Sequence, residues 1–243
     1  MLTDMYAYFY GEKKMLPDEF DDYLDYSQVA VVSIDMHRGH LEDSPDCPCP
    51  GPRGREVIQA TDNFHRECRA LGIPVIHVEM KLRSDGSDDR LGVPAAWRRL
   101  FPMTTGEIKN ADQHNLEGTR WLEFVTEVKP EDYIVDTKKR LSAFYPTDLE
   151  FLLRNLKKDI VVITGIFTDG CDLNTGFDAS NRGFKVVFPA NITRGYSEEL
   201  EEAAKKIFSL YLGLVVDDCA LVKEWQARYE QDTGLSLGRE KAA

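Results

Sequence analysis

With 243 residues, 42% of them hydrophobic, the chain can bury one large α/β core, and no Pro/Gly/Ser-rich linker divides it. A formal net charge of −12 excludes general binding to nucleic acid or anionic membranes, because an acidic protein gains neither counterion release nor surface attraction there. No apolar run approaches the roughly 18 residues of a membrane span, the amino terminus lacks a basic-then-apolar signal, and five cysteines make no disulfide framework in a chain this long, so a reducing, cytoplasmic setting is expected.

Residues 1–27 read as an aromatic, acidic leader, residues 28–232 as the folded domain and residues 233–243 as a tail. Val29–Ile34 is the first buried strand and ends at Asp35, which puts a carboxylate at a strand's carboxyl end. In SPDCPCPGPRG, Cys47 and Cys49 are two apart around Pro48. Structural zinc sites use longer C-x-x-C spacings in pairs, so a rigid loop without metal is predicted. Val57, Thr61, Phe64, Cys68 and Leu71, spaced by fours and threes, predict a helix over 55–71 that Gly72 closes, and 73–78 is the second strand. Residues 81–117 are polar and rich in turn formers, the pattern of a lid or substrate-binding excursion with short helices inside. Trp97, Phe101 and Trp121 either line a pocket or pin that loop, and pinning is expected of most of them. A short helix over 121–128 and a strand over 132–136 lead into TKKRLSAF. Thr147 and Glu150 match a capping box for a helix with Leu149, Leu152, Leu153 and Leu156 on its apolar stripe.

Ile160 to Ile163 is a continuous β-branched run that stops at Gly165 and Gly170, and a helix follows with Leu173, Phe177 and Ser180 on one side and Gly183 as its end. Cys171 then lies in the helix's first turn, where unpaired N–H groups and the positive dipole end favour a thiolate and can hold an oxyanion. The alternative is a small buried hydrophobe. A strand over 184–188, a helix capped by Ser197 and bearing Leu200, Ala204, Ile207 and Tyr211, a short strand over 214–216 and a helix around 219–229 complete the chain. Glu198, Glu199, Glu201 and Glu202 favour a helix start or a solvated face. This alternation predicts a three-layer α/β/α fold around a mostly parallel sheet of about six strands, with ligands beyond the strands' carboxyl ends. Asp35, the Lys138 region and Cys171 all fall at that edge.

The segments VVSIDMHRGH, HNLEGT, VDTKKRLSAFYPTDLEFLLRN and VVITGIFTDGCDLNTGFDASNRGFKVVF, in that order, resemble the isochorismatase-like cysteine hydrolases over about residues 28–220. That superfamily includes nicotinamidase, N-carbamoylsarcosine amidase, biuret hydrolase and ureidoacrylate hydrolase. The resemblance implies Asp35 as catalytic carboxylate, Lys138 as catalytic lysine and Cys171 as nucleophile. Lys138 is chosen over Lys139 because the family's lysine precedes the serine of its SAF-like segment, here Ser142, by four residues. It also implies backbone oxyanion donors at Phe167 and Cys171, beside a non-proline cis peptide at Ile166–Phe167.

His37 stands where many members carry glutamine, so His37 and Arg38 are candidate substrate contacts, with a surface salt bridge the alternative for Arg38. Phe144 and Phe167 either flank a small planar substrate or pack. His114 and Asn115 lie in a loop the family brings near the site and receive no catalytic role. The nicotinamidase metal segment is missing from VIHVEMKLRSDG, and Asp35 must stay free of the cluster it would make with His37 and His40, so neither metal nor cofactor is expected. The implied activity is cysteine-dependent hydrolysis of a small N-carbamoyl, ureido or carboxamide compound through a thioester, releasing ammonia. Vinyl ether hydrolysis of the isochorismatase type and a catalytically silent scaffold are the alternatives. A homo-oligomer is expected from the resemblance, with no nucleic-acid or membrane partner.

Overall fold

In the computed structural model, which describes residues 5–89, 91, 93 and 95–236, the first strands come from the leader. Tyr6–Phe9 (β1) and Glu12–Met15 (β2) pair antiparallel across Tyr10 and Gly11, both at positive φ (53° and 86°). A two-residue turn of that kind matches the right-handed twist of its strands and closes a hairpin. The chain-order strands that follow are Val29–Ile34 (β3), Val75–Met80 (β4), Tyr133–Lys138 (β5), Ile160–Ile166 (β6), Lys185–Pro189 (β7), Thr193–Arg194 (β8) and Gly213–Val216 (β9). Their spatial order is β2-β1-β9-β7-β6-β3-β4-β5, with β8 beside β6. The run from β9 to β5 is parallel throughout and supplies the six strands expected. The sheet is larger because the leader hairpin joins β9 antiparallel at one edge and the two-residue β8 extends beside β6.

Alternate residues of the central strands go to opposite faces. Val29, Val31, Ile160 and Val162 meet Phe64 and Cys68 of Ile58–Ala70 (α2), and Leu221 and Trp225 of the last helix, Asp218–Thr233. Val32, Ile34, Val161 and Ile163 meet Leu149 and Leu153 of Leu149–Asn155, Ala179 of Leu173–Asn181, and Phe208, which follows Glu198–Ile207. With Arg38–Leu41 as α1 and Ala96–Thr105 as α3, these helices are α4 (149–155), α5 (173–181), α6 (198–207) and α7 (218–233). The result is the three-layer α/β/α arrangement. Among the described residues no helix is long and apolar enough to cross a membrane. From residue 237 onward the expected tail lies outside the described residues.

Several local expectations change. Residues 121–128 form no helix beyond the single 3-10 turn Arg120–Leu122, because the segment is held by pairing of Phe124 with His37 and of Val125 N–H with Met36 O. The buried face of α5 is Thr175, Gly176 and Ala179 rather than Leu173, Phe177 and Ser180. Phe208 and Leu212 press on Gly176, where a Cβ would sit 2.5 Å from the Phe208 ring, so the small residues face the core and Phe177 is left exposed. Thr147 Oγ1 accepts from Leu149 N–H, but Glu150 reaches the Arg182 and Arg154 guanidinium groups instead of closing a capping box. Ser197 caps α6 as predicted, accepting from Leu200 N–H at 3.2 Å.

Replacing Trp225, fully buried between α2 and the sheet, with alanine is expected to lower the unfolding free energy by about 3–5 kcal/mol. Urea denaturation reads this as a lower midpoint with an unchanged slope.

Candidate active site

Three parallel strands of the sheet, β6, β3 and β5, with β4 between the last two, bring one reactive side chain each to or beyond their carboxyl ends. Gly165 in β6 is paired with Ile34 at φ 123°, and a Cβ there would lie 2.1 Å from the Ile34 carbonyl oxygen. This close approach brings the turn after β6 beside the end of β3. Asp35 follows at φ 53°, a left-handed conformation that non-glycine residues adopt at a cost. Its backbone N–H donates to Val78 O (2.8 Å), and its Oδ1 accepts from Met80 N–H (3.0 Å), which fixes the carboxylate.

Lys138 ends β5 opposite Met80, across a register shift in the β4–β5 pairing. Strand alternation turns Lys138 inward, fully buried, and Lys139 outward, where it donates to Lys81 O and pairs with Asp88. The Lys138 ammonium donates to Asp35 Oδ2 and lies 3.3 Å from Cys171 Sγ. Cys171 belongs to the π-type turn Thr168–Asp172 that precedes α5, and the Ile166–Phe167 peptide ahead of it is cis.

Burial works against all three charges in this cluster. For Asp35 it is outweighed by Lys138 foremost, then His37 and His40, and the carboxyl is held below its ordinary range. For Lys138 it is outweighed by Asp35 and Cys171, so the ammonium is reinforced. For Cys171 burial prevails over Lys138, with Asp35 opposing ionisation as well, and the thiol is pushed well up. The resting arrangement is therefore a carboxylate–ammonium pair beside a neutral thiol, and the expected thiolate at a helix start gives way to one that a base must generate.

Above these residues lies a cavity of about 330 Å³, with Asp35 and Cys171 at its base. Trp97, Leu100 and Phe101 of α3 form one wall, and Tyr196 and Leu200 at the start of α6 another. The Phe101 and Tyr196 rings meet edge-on at 5.5 Å between these walls. Trp97 and Phe101 thus line the pocket rather than pin the loop. Trp121 does pin it, buried beneath the Arg120 guanidinium with Nε1 donating to Gln113 Oε1. Phe167 lines the cavity, but Phe144 does not: it packs against Phe184 at 5.7 Å under Arg182. Arg38 also lies outside the lining, paired with Glu42 and Glu123 at a half-exposed surface. His37 is buried and stacked on His40 at 4.7 Å, where burial and the neighbouring His40 bring its pKa down to about 3.

The sequence reading missed a polar corner of the same cavity, formed by His40, Cys49, His114 and Asn115. His40 Nδ1 meets Cys49 O at 2.9 Å, and its Nε2 lies 3.3 Å from Nε2 of His114. Asn115 has a buried Oδ1 without a hydrogen-bond partner. The HNLEGT segment carried a signal for the last two residues, but nothing in the spacing joins them to residues 40 and 49. His40, Cys49 and His114 are also the described buried residues whose donor atoms are clustered closely enough to hold a metal ion. Among the described residues no lysine or arginine lines the cavity.

A family model described as the isochorismatase domain matches residues 29–218. The chain is 27% identical over 164 residues to an N-carbamoylsarcosine amidase from an Arthrobacter species, an alignment covering 67% of this chain and 58% of that protein, less than two thirds of its length. It is 30% identical over 154 residues to nicotinamidase 3 of Arabidopsis thaliana, covering 62% of this chain and 70% of the relative. A solved cysteine hydrolase from Pseudomonas syringae pv. phaseolicola shares the fold with a TM-score of 0.73 at 20% identity, covering 84% of this chain and 94% of that one.

Replacing Lys138 with methionine leaves Asp35 buried without its cation and is expected to cost about 3–5 kcal/mol at neutral pH, whereas Lys139→Met costs far less. The pH dependence has a definite sign. Lowered by Lys138, Asp35 contributes stability above its ordinary value of 3.8 and loses it as pH falls through the lowered one. In the variant the largest opposing charge is gone and burial pushes Asp35 up from its wild-type position, so the deficit shrinks as pH falls through the carboxylate range. Urea denaturation of both proteins across that range measures it.

Proposed function

The chain belongs to the isochorismatase family, and from that premise we propose that it is a cysteine-dependent amidohydrolase acting on the carbon–nitrogen bond of a small carboxamide or ureido compound. One observation carries this reading: the Lys138 ammonium touches both the Asp35 carboxylate and the Cys171 sulfur at the base of a cavity of substrate size. In the resting state sulfur holds its proton. As Cys171 attacks the substrate carbonyl, Asp35 takes that proton, and Lys138 stays between the two groups to balance the charge passing from carboxylate to sulfur. The backbone N–H groups of Phe167 and Cys171 serve as donors to the tetrahedral oxyanion. Asp35 then returns the proton to the departing nitrogen, and ammonia leaves a thioester on Cys171. Water attacks that thioester with Asp35 again as base, which frees the acid and restores the thiol.

The lining narrows the substrate class. Leu100, Phe101, Phe167, Tyr196 and Leu200 offer apolar surface, and no described lysine or arginine faces the cavity to meet a carboxylate. The buried Asn115 Oδ1 is suited to accept from an amide N–H. Uncharged amides with an aromatic or branched aliphatic body therefore fit better than ureido acids such as N-carbamoyl amino acids.

Ammonia release measured over a panel of aromatic carboxamides, aliphatic carboxamides and ureido acids is expected to favour the uncharged aromatic members. Cys171→Ala is expected to abolish turnover, and Asp35→Asn to reduce it by about 10²–10⁴-fold. Turnover that survives in Cys171→Ala, with vinyl ether substrates cleaved instead, would overturn the reading. Iodoacetamide should label the Cys171 peptide more slowly in Asp35→Asn than in the wild type, while the exposed Cys219 labels equally in both.

A further inference from the structure

His40, Cys49 and His114 come from α1, the proline-rich loop that follows it and the end of the long excursion after β4. All three are buried, their donor atoms lie within 4.8 Å of one another, and all three line the cavity. The Cys49 carbonyl can only accept, so the contact with His40 Nδ1 places the ring proton there and leaves a lone pair on Nε2. That lone pair faces His114 Nε2 at 3.3 Å. Two nitrogens bound to one tetrahedral ion at about 2.0–2.1 Å stand roughly 3.3–3.4 Å apart. A backbone carbonyl on the far nitrogen is also the arrangement that orients metal-binding imidazoles. Neighbouring rings hold the pair in place: His37 stacks on His40 at 4.7 Å, Phe167 meets it edge-on at 5.2 Å, and Trp97 meets His114 edge-on at 5.3 Å.

We propose that His40, Cys49 and His114 form a three-ligand site for a borderline divalent transition-metal ion, zinc foremost, whose fourth position opens into the cavity. One thiolate and two neutral imidazoles suit zinc, and three protein ligands leave room for a water or a substrate donor atom. The ion takes no part in the proton transfers assigned to Asp35. A carbonyl oxygen or ring nitrogen of the substrate is the natural occupant of its open position. The competing arrangement is a plain N–H···N hydrogen bond from His114 to His40 with no ion between them.

The full-length protein, stripped with a chelator, reloaded with zinc or cobalt(II) and dialysed, distinguishes the two by elemental analysis and absorption. One ion per chain is expected, with a thiolate-to-cobalt charge-transfer band in the cobalt form. Cys49→Ser should lose the band, and His114→Ala should weaken metal retention at least tenfold. Cys219→Ser, at the exposed Asp217–Asp218–Cys219 group, should change neither. His40→Gln provides a second ligand deletion should Cys49→Ser fail to fold. Wild-type protein that keeps no more metal than His114→Ala, or a cobalt band that persists in Cys49→Ser and vanishes in Cys171→Ala or Cys219→Ser, would overturn the proposal. These readouts need no turnover, so their failure leaves the hydrolase reading untouched, and loss of activity in Cys171→Ala says nothing about the metal.

Discussion

The ion pair between Lys138 and Asp35, wholly removed from water, is the constraint on which the site depends. Two buried charges are tolerated only when each has the other and its remaining hydrogen-bonding capacity is used. Asp35 meets this condition through Lys138 on one oxygen and Met80 N–H on the other. Lys138 turns its remaining capacity toward the Cys171 sulfur. The pair therefore sets the surroundings of a third residue, a thiol that burial keeps protonated at rest beside a carboxylate able to take its proton.

The sheet supplies the precision. Parallel pairing of β3 with both β4 and β6 sets the end of β3 between two neighbours, and Gly165 lets β6 approach where any side chain would collide with Ile34. The register shift between β4 and β5 lets Lys138 reach across Met80 toward Asp35. Each reactive group stands at the rim of a rigid layer whose faces are closed by α2 and α7 on one side and by α4, α5 and α6 on the other. A site held this way needs little reorganisation when substrate arrives.

The cavity above the rim is built by segments outside the sheet. The excursion after β4 contributes α3 with Trp97, Leu100 and Phe101, and the start of α6 contributes Tyr196 and Leu200. Reactive groups at the base and apolar surface at the walls divide the work, since the base sets the chemistry and the walls set which molecule is presented to it. His40, Cys49, His114 and Asn115 add a polar corner to these walls, with His40 against Phe167, and Thr104 and Asp169 are further polar lining residues.

Local pattern was enough to read β3, α2, β6, the Ser197 cap and the placement of Asp35, Lys138 and Cys171 at strand ends, because strand burial, helix periodicity and capping are short-range properties of neighbouring residues. The resemblance singled out Lys138 from Lys139, and strand alternation turns the one inward and the other outward. The leader hairpin has little local signal, since Tyr10-Gly11 lacks the Asn or Asp that such turns favour and Glu12–Met15 shows no alternation. Other features had no local signal at all. Whether Trp97 pins a loop or walls a cavity, which face α5 buries against Phe208, and that residues 40, 49 and 114 meet are settled by packing between segments distant in the chain, 74 residues apart for His40 and His114. Sequence by itself determined the order of elements and the chemistry available at their ends; the tertiary structure decided which side chains share a space, because contact between distant segments follows from the register and closure of the whole sheet.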